Sequence, residues 1–472
     1  MGELLKKITT KAPFAILFVL YLKTILPSVD FWDTGEFQTI GYTFDISHPT
    51  GYPSYIILLK FFTNIFPFGN IAFRANFLSL ILSILGLVFL SRTIKLITKN
   101  QTISLLAPII LGTTKTFWST SIKADPHIFH FFLFSLFIYI SILIIKEEKN
   151  NLLPILGLVV GVSLGNHLLS LFWVPSFIFI IFSSKTSKKE KLLSTSFLFI
   201  SLLLYAIIPL IYKIKGAYTI DYDLTSFNNL KKYILGLDFS PQKSLVLSHQ
   251  SLLNLIKALI TIKEEITKAT FYISIIGIPA FLLKEKISYS VLVIFVLNIF
   301  FSANYSNAAI ERYFITNNTI LILIYSFTLN LITQKLNTIK ANRVIKTLSK
   351  ISIIIIFILI PIYKNIYKNY NLVDQSGNNR AEIWARSVFE NVEENAVIFS
   401  WWSYSTPLWY LKKVEKLRPD IMIINEGQNK WEEMAKNFVN QKPVYFIEKI
   451  NLKDKNLNMK QEGNVYKLEI IN

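Results

Sequence analysis

Long uninterrupted apolar segments constrain this chain more than any other feature. Residues 351–361 read ISIIIIFILIP, and residues 131–145 contain no charged side chain. These segments are apolar on every side, which is typical of helices in lipid and not of helices at the surface of a soluble domain. Hydrophobic residues make up 52% of the 472 positions, which is more than ordinary soluble domains contain. We therefore predict an α-helical, polytopic membrane protein.

The distribution of Lys and Arg predicts the topology. Because basic residues collect in cytoplasmic loops, the basic loops after alternate apolar segments place the N-terminus in the cytoplasm. With about eleven spans, several of them shorter than the ~20 residues that a full membrane helix needs, the C-terminal region lies outside. The net charge of +19 is then explained by loops that meet anionic membrane lipids, without a nucleic acid partner. The apolar segments lie near residues 12–27, 71–91, 102–114, 127–145, 152–164, 168–184, 192–212, 270–283, 287–303, 314–334 and 351–367.

The composition changes near residue 370, where the apolar segments end. Helical spacing at 381–395, 407–417 and 430–441 alternates with short apolar strands at 396–399, 420–425 and 444–448. This alternation predicts a small α/β domain with a largely parallel sheet. We expect a transmembrane domain over residues 1–369, with a catalytic first outer loop at 28–70, and a soluble accessory domain over 370–472.

Ionisable and amide residues cluster in the loops that this topology places outside. Any one of them is more often a solvated loop residue, but polar groups near the ends of membrane helices are candidates for a functional site. Together they predict one shared polar site on the outer face. They are Asp33, Glu36 and His48 in the first outer loop, Asp125 in the second, Asn166 and His167 in the third, and Glu311 and Arg312 near a late span.

The first outer loop holds the most distinctive motif. Asp33 and Glu36 lie three residues apart just after a membrane helix, and His48 follows in the string SHPTGYP. A carboxylate there can act as a general base on a hydroxyl or bind a cation, and His48 can bind a phosphate or share the proton. Two carboxylates are too few ligands to assign a divalent cation, and a chain without cysteine has no Cys-based metal site or disulfide.

The motifs resemble those of a multi-pass membrane family whose bacterial members are mostly of unknown function. Its eukaryotic relatives are protein O-mannosyltransferases of the GT-C superfamily, which modify IPT domains of receptors. Thr50, where a second proline is usual, and Ser403-Tyr404, where an acidic pair is frequent, depart from the pattern. The strings that carry the resemblance are TILPSVDFWDTGEF at 24–37, SHPTGYP at 47–53, FRAN at 73–76, FW at 117–118, AD at 124–125, GNHL at 165–168, ERYF at 311–314, PLWY at 407–410 and RPD at 418–420.

This resemblance implies a GT-C glycosyltransferase that uses a polyprenyl-phosphate-linked sugar and inverts the configuration of the transferred sugar. Carried over to this sequence, Asp33 is the base on the acceptor hydroxyl, and Glu36 orients Asp33 or the acceptor. A phosphate leaving group needs cations and hydrogen-bond donors nearby. Arg312 is the first candidate cation. The other candidate residues for the lipid phosphate and the sugar are His48, Arg74, Asp125, Asn166, His167 and Glu311.

Two other classes of function stay open at the level of sequence. A transporter or flippase of a lipid-linked sugar would use the same polar cluster, although such sites usually lie on broken helices near the middle of the membrane. A non-catalytic scaffold would use the C-terminal domain to recruit partners. The eukaryotic relatives imply that the sugar is mannose and that the acceptor is a Ser or Thr of a protein. A glycan or lipid acceptor stays open. The expected location is the bacterial inner or plasma membrane.

Overall fold

Helices make up most of the protein. The structure, a computed structural model, describes the backbone of residues 2–216, 222–242 and 248–471. We number the helices in chain order. The first eleven are α1 (Gly2–Thr24), α2 (Trp32–Thr43), α3 (Pro53–Ile65), α4 (Ile71–Thr98), α5 (Gln101–Gly112), α6 (Lys115–Ser121), α7 (Pro126–Glu147), α8 (Leu153–Leu164), α9 (Val174–Ser183), α10 (Lys188–Leu202) and α11 (Ile207–Lys215).

The second half continues the bundle and ends in a small sheet domain. Short 3-10 or π segments join some helices, and the one at Ile310–Phe314 contributes to the site described below. The remaining helices are α12 (Phe227–Ile234), α13 (His249–Ile266), α14 (Lys268–Lys284), α15 (Ser288–Ala303), α16 (Ile315–Thr338), α17 (Arg343–Ile354), α18 (Ile360–Val373), α19 (Arg380–Glu390), α20 (Trp402–Lys413) and α21 (Gln428–Ala435). The strands are β1 (Val397–Ser400), β2 (Met422–Asn425), β3 (Val444–Phe446), β4 (Leu457–Glu462) and β5 (Val465–Ile470).

The apolar helices identify an integral membrane protein. Each of the eleven apolar segments of the sequence overlaps a helix, but the number that crosses the bilayer stays a prediction. α13 and α14 are together apolar and long enough to span a membrane but meet at an angle of 117°. Within the described residues, five single stretches are long and apolar enough, namely Ile71–Thr98, Pro126–Glu147, Lys188–Lys215, Ile310–Thr338 and Arg343–Val373.

The loops predicted to be cytoplasmic lie together at one end of the bundle. Lys146 Nζ is 2.9 Å from a carboxylate oxygen of Glu285, and Lys185 Nζ is 2.9 Å from one of Glu148. These pairs join connections that are far apart in sequence but belong to the same predicted side. The polar motifs of the outer loops lie at the other end, as the alternation of loops requires.

The C-terminal domain has the predicted helix–strand alternation with one addition. The strand order is β2-β1-β3-β5-β4, and β1 pairs in parallel with both β2 and β3. β4 and β5 form an antiparallel hairpin that extends the sheet. The sequence of β4, LNMKQE, has no apolar run, so apolar patterning does not reveal this edge hairpin.

The first outer connection is largely helical, although its sequence predicts a loop. In α2, the residues from Thr34 to Gly41 are all buried, because this helix lies between the transmembrane bundle and α20 of the C-terminal domain. A Cβ on Gly35 would lie 2.9 Å from Thr406 Oγ1, so the two helices approach closely there. Tyr410 OH also accepts a 3.0 Å hydrogen bond from the backbone of Ala72. The C-terminal domain therefore forms part of the wall around the first outer motif.

Candidate active site

A large cavity lies where the outer loops meet the C-terminal domain. Its volume is about 1800 Å³, and its walls include parts of α2, α6, α13, α18 and α20. It brings together residues from three of the polar clusters that the sequence singled out. The predicted site residues that line the cavity are Asp33, His48, His167, Glu311 and Arg312.

Asp33 lies in the first turn of α2 and faces this cavity. Its side chain is 34% exposed, and its Oδ2 lies 3.6 Å from Arg312 Nη2. Its Oδ1 accepts a 3.1 Å hydrogen bond from Trp402 Nε1 of the C-terminal domain. Burial raises the pKa of Asp33, but the positive charges of His48 and Arg312, together with the Trp402 bond, hold the pKa below its usual value. Asp33 is therefore an ionised carboxylate at neutral pH.

Glu36 lies one turn further along α2 and points away from the cavity. Its Oε1 accepts a 2.7 Å bond from the backbone N–H of His48, and its Oε2 lies 2.5 Å from His48 Nδ1. Burial raises the pKa of Glu36 more than His48 lowers it. Burial also opposes the charge of His48, but the Glu36 and Asp33 carboxylates outweigh burial and raise its pKa to about 9. Glu36 and His48 form a buried pair, and Glu36 fixes the His48 ring at the cavity wall.

Asp125 lies behind Arg312 and holds it in place. The Asp125 side chain is 1% exposed, and its Oδ2 accepts a 2.7 Å bond from Arg312 Nη1. Its other oxygen caps α7 by accepting a 2.8 Å bond from the backbone of His127. Capping fixes the carboxylate, so Arg312 is held between two carboxylates, those of Asp125 and Asp33.

Asn166 and His167 precede a 3-10 segment, and only His167 reaches the cavity. His167 Nδ1 accepts a 3.2 Å bond from the backbone N–H of Leu169, so the neutral ring carries its proton on Nε2. Asn166 lies behind it, where its Nδ2 donates to the Pro126 carbonyl oxygen over 3.1 Å. His167 is thus a potential hydrogen-bond donor to a ligand, whereas Asn166 joins two loops.

Arg74 does not line the cavity. Its guanidinium donates to the backbone oxygens of Thr63, Pro67 and Gly69 at 3.0, 3.3 and 3.0 Å. These bonds close the turn between α3 and α4. Glu311, in contrast, lines the cavity next to Arg312 and is exposed.

The site residues do not form a metal centre of the usual kind. Asp33 points to Arg312 and Trp402, whereas Glu36 points to His48, so the two carboxylates do not converge on one point. Within the described parts of the chain, no group of three or more His, Asp or Glu side chains could hold a metal ion. The arrangement suits proton transfer at Asp33 next to a fixed guanidinium and two imidazoles.

Comparison with known sequences finds proteins that are similar to this chain. The family described as the protein O-mannosyl-transferase TMEM260 N-terminal domain matches residues 33–191, from Asp33 onward. The protein O-mannosyl-transferase TMEM260 of Mus musculus is 23% identical over 457 residues, which cover 91% of this chain and 64% of that protein. The chain is therefore similar in sequence to the TMEM260 proteins. The Dictyostelium discoideum tmem260 protein is 24% identical over 500 residues, which cover 94% of this chain and 60% of its own length. The chain thus spans just under two thirds of these relatives.

Solved structures with a similar fold are GT-C enzymes, which confirms the predicted fold class. ArnT from Cupriavidus metallidurans, bound to undecaprenyl phosphate, superposes with a TM-score of 0.60 at 9% identity and covers 97% of both chains. The oligosaccharyltransferase AglB from Archaeoglobus fulgidus, in complex with an inhibitory peptide and a dolichol-phosphate, has a TM-score of 0.56 at 14% identity. This superposition covers 93% of the present chain and 69% of AglB. At these identities the likeness shows the fold alone.

Two contributions to the site were not predicted. Trp402 was not among the predicted site residues, and its Nε1 donates to Asp33 across 369 sequence positions. His127 and Tyr313 line the cavity, and their ring centroids are 4.7 Å apart. Tyr313 belongs to the ERYF motif, and His127 is a polar residue of the second outer loop two positions after Asp125, so the sequence already marked both positions.

Proposed function

We propose that this chain is a membrane glycosyltransferase that transfers a sugar from a polyprenyl-phosphate-linked donor to a hydroxyl acceptor. The observation that carries the proposal is the ionised carboxylate of Asp33, one third exposed on a cavity of about 1800 Å³. The family match that begins at Asp33 supports it. From the TMEM260 relatives, the sugar is mannose and the acceptor is a Ser or Thr of a protein.

Asp33 is the base of the proposed reaction. Its Oδ2 lies 3.6 Å from Arg312, beyond hydrogen-bonding distance, so this oxygen can accept the proton of an acceptor hydroxyl. The hydroxyl oxygen attacks the anomeric carbon from the side opposite the phosphate, which inverts the configuration at that carbon. The bond from the anomeric carbon to the phosphate oxygen breaks, and its electron pair stays on the phosphate. The lowered pKa keeps Asp33 ionised at neutral pH, and it can take the proton because the hydroxyl becomes acidic as the new bond forms.

The other site residues act in two groups in this proposal. His48, His167, Glu311 and Arg312 line the cavity and contact the donor or the acceptor. Glu36, Asp125 and Asn166 act through others, since Glu36 holds His48, Asp125 holds Arg312 and Asn166 supports the loop of His167. Arg74 acts at a distance, through the turn between α3 and α4.

The partners and the location follow from the same proposal. The structures with this fold contain undecaprenyl phosphate in ArnT, and a peptide with dolichol-phosphate in AglB, which supports a lipid-linked donor and a protein acceptor. A glycan acceptor would also supply a hydroxyl. In this proposal the N-terminus lies in the cytoplasm of a bacterium, and the cavity and C-terminal domain lie outside the inner or plasma membrane.

The test is an Asp33→Asn variant of the full chain in membranes supplied with polyprenyl-phosphate-mannose. Loss of the base should lower the rate of mannose transfer to membrane proteins by about 10²- to 10⁴-fold. Asp30→Asn is the matched control, because Asp30 also lines the cavity but caps only the backbone N–H of Phe31. If Asp33→Asn folds and transfers mannose at the wild-type rate, the assignment of the base is wrong.

A flippase or transporter is the second candidate, and one observation favours it. The 117° break between α13 and α14 lies close to the cavity-lining Glu264 and Glu265, and broken helices are frequent in transporters. Uptake or flipping of a lipid-linked sugar by reconstituted vesicles, dependent on Asp33 and without sugar transfer from any lipid-linked donor, would establish that reading instead.

A further inference from the structure

The cations at the Asp33 side of the cavity are already neutralised. Arg312 lies 2.7 Å from Asp125 and 3.6 Å from Asp33, so two carboxylates share one guanidinium. The charge of His48 is balanced by Glu36 at 2.5 Å. A lipid-linked sugar phosphate carries a negative charge, and the phosphate that leaves carries up to two. The positive charge that holds this phosphate must therefore come from another part of the wall.

Three lysines on another part of the cavity wall meet this requirement. Lys115, Lys123 and Lys368 all line the cavity, and in the described part of the chain none of their ammonium groups has an ion pair within 4.0 Å or a hydrogen bond. Lys232, which also lines the cavity, is in contrast paired with Asp238 at 2.7 Å. The three lysines thus have their charge available for a ligand.

The three lysines belong to two helices that pack together. Lys115 begins α6 and Lys123 follows its end, while Lys368 lies on α18, which contacts α6. Asn369 Nδ2 on α18 donates a 3.0 Å bond to the carbonyl oxygen of Thr113, just before α6. Burial raises the pKa of Asp33, and Lys123 is among the charges that lower it, after those of His48 and Arg312. One wall therefore presents three cations, and the charge of one of them, Lys123, acts on the base.

Acidic side chains near this wall do not cancel its charge. Glu265 Oε1 accepts a 2.6 Å bond from the backbone N–H of Thr116, so this carboxylate supports the start of α6. Glu264 lies 3.8 Å from Lys263, on its own helix. Neither is within 4.0 Å of the three lysines, since no such pair occurs between these described residues.

Lys368 lies near the end of an apolar helix, where the headgroup of a lipid is expected. Lys368 is in the last turns of the apolar stretch Arg343–Val373, and the backbone N–H of Gln375 donates to the Thr24 carbonyl oxygen at the end of α1 over 3.1 Å. This end of the bundle is the side that Lys and Arg avoid in short loops, so topology does not explain lysines here. A lysine near a helix end can extend its apolar stem along the protein and place its ammonium at the interface.

We propose that Lys115, Lys123 and Lys368 form the site that binds the phosphate of the lipid-linked donor. This inference rests on the proposed function and places the sugar between the three lysines and Asp33. When the acceptor oxygen bonds to the anomeric carbon, Asp33 takes its proton and the phosphate oxygen keeps the electrons of the broken bond. The phosphate gains one negative charge in this step, and the lysines stabilise that charge. Arg312 then positions Asp33 and contacts the sugar or the acceptor, whereas the leaving phosphate binds to the lysines.

The test measures binding of undecaprenyl phosphate to the full chain in phosphatidylcholine nanodiscs. A Lys115→Gln/Lys123→Gln/Lys368→Gln variant should raise the Kd by about tenfold or more, because charge-assisted bonds to phosphate are lost. Inorganic phosphate is the second ligand, since it has the same charge without the lipid. A Kd for inorganic phosphate equal to that for the lipid would overturn the assignment to a lipid headgroup.

Two control variants separate a local effect from a general one. Lys364→Gln removes an exposed charge one turn before Lys368 that does not line the cavity. A Lys188→Gln/Lys189→Gln/Lys191→Gln variant removes the same net charge at the opposite end of the bundle. Both should bind the lipid with the wild-type Kd. Since Lys368 is exposed, Lys368→Gln alone should fold normally and should weaken binding by a measurable part of the full effect.

The outcomes distinguish this inference from the proposed function. If the wild type transfers sugar but the triple variant binds undecaprenyl phosphate with the wild-type Kd, the lysine site is wrong and the glycosyltransferase stands. If binding depends on the lysines but no lipid-linked donor supports transfer, the phosphate site stands and the proposed activity fails.

Discussion

Gly35 provides a sharp test of how the C-terminal domain meets Asp33. It lies two residues after Asp33 in α2, and α20 packs directly against it. A Cβ at this position would lie 2.1 Å from the carbonyl oxygen of Asp30 and 2.9 Å from Thr406 Oγ1. The first distance is more than 1 Å shorter than the 3.4 Å at which ordinary contacts begin. A Gly35→Ala substitution must therefore move the backbone of α2 or push α20 away.

We expect this movement to affect both stability and activity. Overpacking of a close contact costs about 1–3 kcal/mol, so the Tm of Gly35→Ala should fall. A displacement of about 1 Å also lengthens the 3.1 Å bond between Trp402 Nε1 and Asp33 and misplaces the base. Misplacement on this scale can lower rates by about 10²-fold, so kcat/KM for sugar transfer should fall by about that factor.

The assay compares Gly35→Ala with Gly377→Ala in the same detergent or nanodisc preparation. No atom lies within 4 Å of a Cβ placed on Gly377, so this substitution adds the same methyl group without a clash. Thermal unfolding and transfer of radiolabelled mannose are measured for both. A Gly35→Ala variant with the Tm and kcat/KM of Gly377→Ala would refute the close packing of α2 on α20 as the support of Asp33.

Three further substitutions test the surroundings of the base. Asp125→Asn should lower stability by about 3–5 kcal/mol, because it leaves the partly buried Arg312 with one partner fewer, and kcat/KM should fall with it. His48→Gln removes a positive charge that lowers the pKa of Asp33. The pKa of Asp33 should then rise, so the acid limb of the pH profile of kcat/KM should move to higher pH. Arg74→Ala should lower stability by about 1–2 kcal/mol through its lost backbone bonds, with an unchanged KM for the donor.

Each of these has a measurement that would contradict it. Asp238→Asn is the control for Asp125→Asn. Asp238 is 36% exposed and its partner Lys232 is 42% exposed, and such exposed pairs contribute little to stability. Equal changes in Tm for the two variants would be inconsistent with a buried pair at Asp125. An acid limb that does not move in His48→Gln would show that His48 does not act on Asp33. A raised KM for the donor with an unchanged Tm in Arg74→Ala would assign Arg74 to the substrate.

Some motif residues stabilise the fold. Their hydrogen-bond partners are far away in the sequence, so the sequence did not reveal this role. Asn76 Oδ1 accepts bonds from Gln38 Nε2 at 2.9 Å and from the backbone of Ala124 at 2.8 Å. Trp118 Nε1 donates to Thr24 Oγ1 over 2.9 Å. These bonds join the first and second outer connections, so the motifs surround the cavity without all lining it.

The apolar segments and the alternating basic loops were enough to predict a polytopic helical membrane protein, because lipid exposure acts on each segment separately. The alternation of helices and apolar strands likewise predicted the α/β domain. The helical form of residues 32–43 was not predictable, since their burial comes from α20, which is hundreds of residues away in the sequence. The same holds for the polar edge hairpin, β4 and β5, whose pairing depends on β3.

The sequence alone predicted that Asp33 lies with other polar groups at one end of the membrane helices. Hydropathy and charge are local properties, and they act on each segment wherever it lies in the fold. Only the tertiary structure decided that Asp33 faces the cavity while Glu36 turns to His48, and that Arg312 is held between Asp33 and Asp125. Contacts between residues far apart in sequence depend on how the helices pack, and no local pattern encodes that packing.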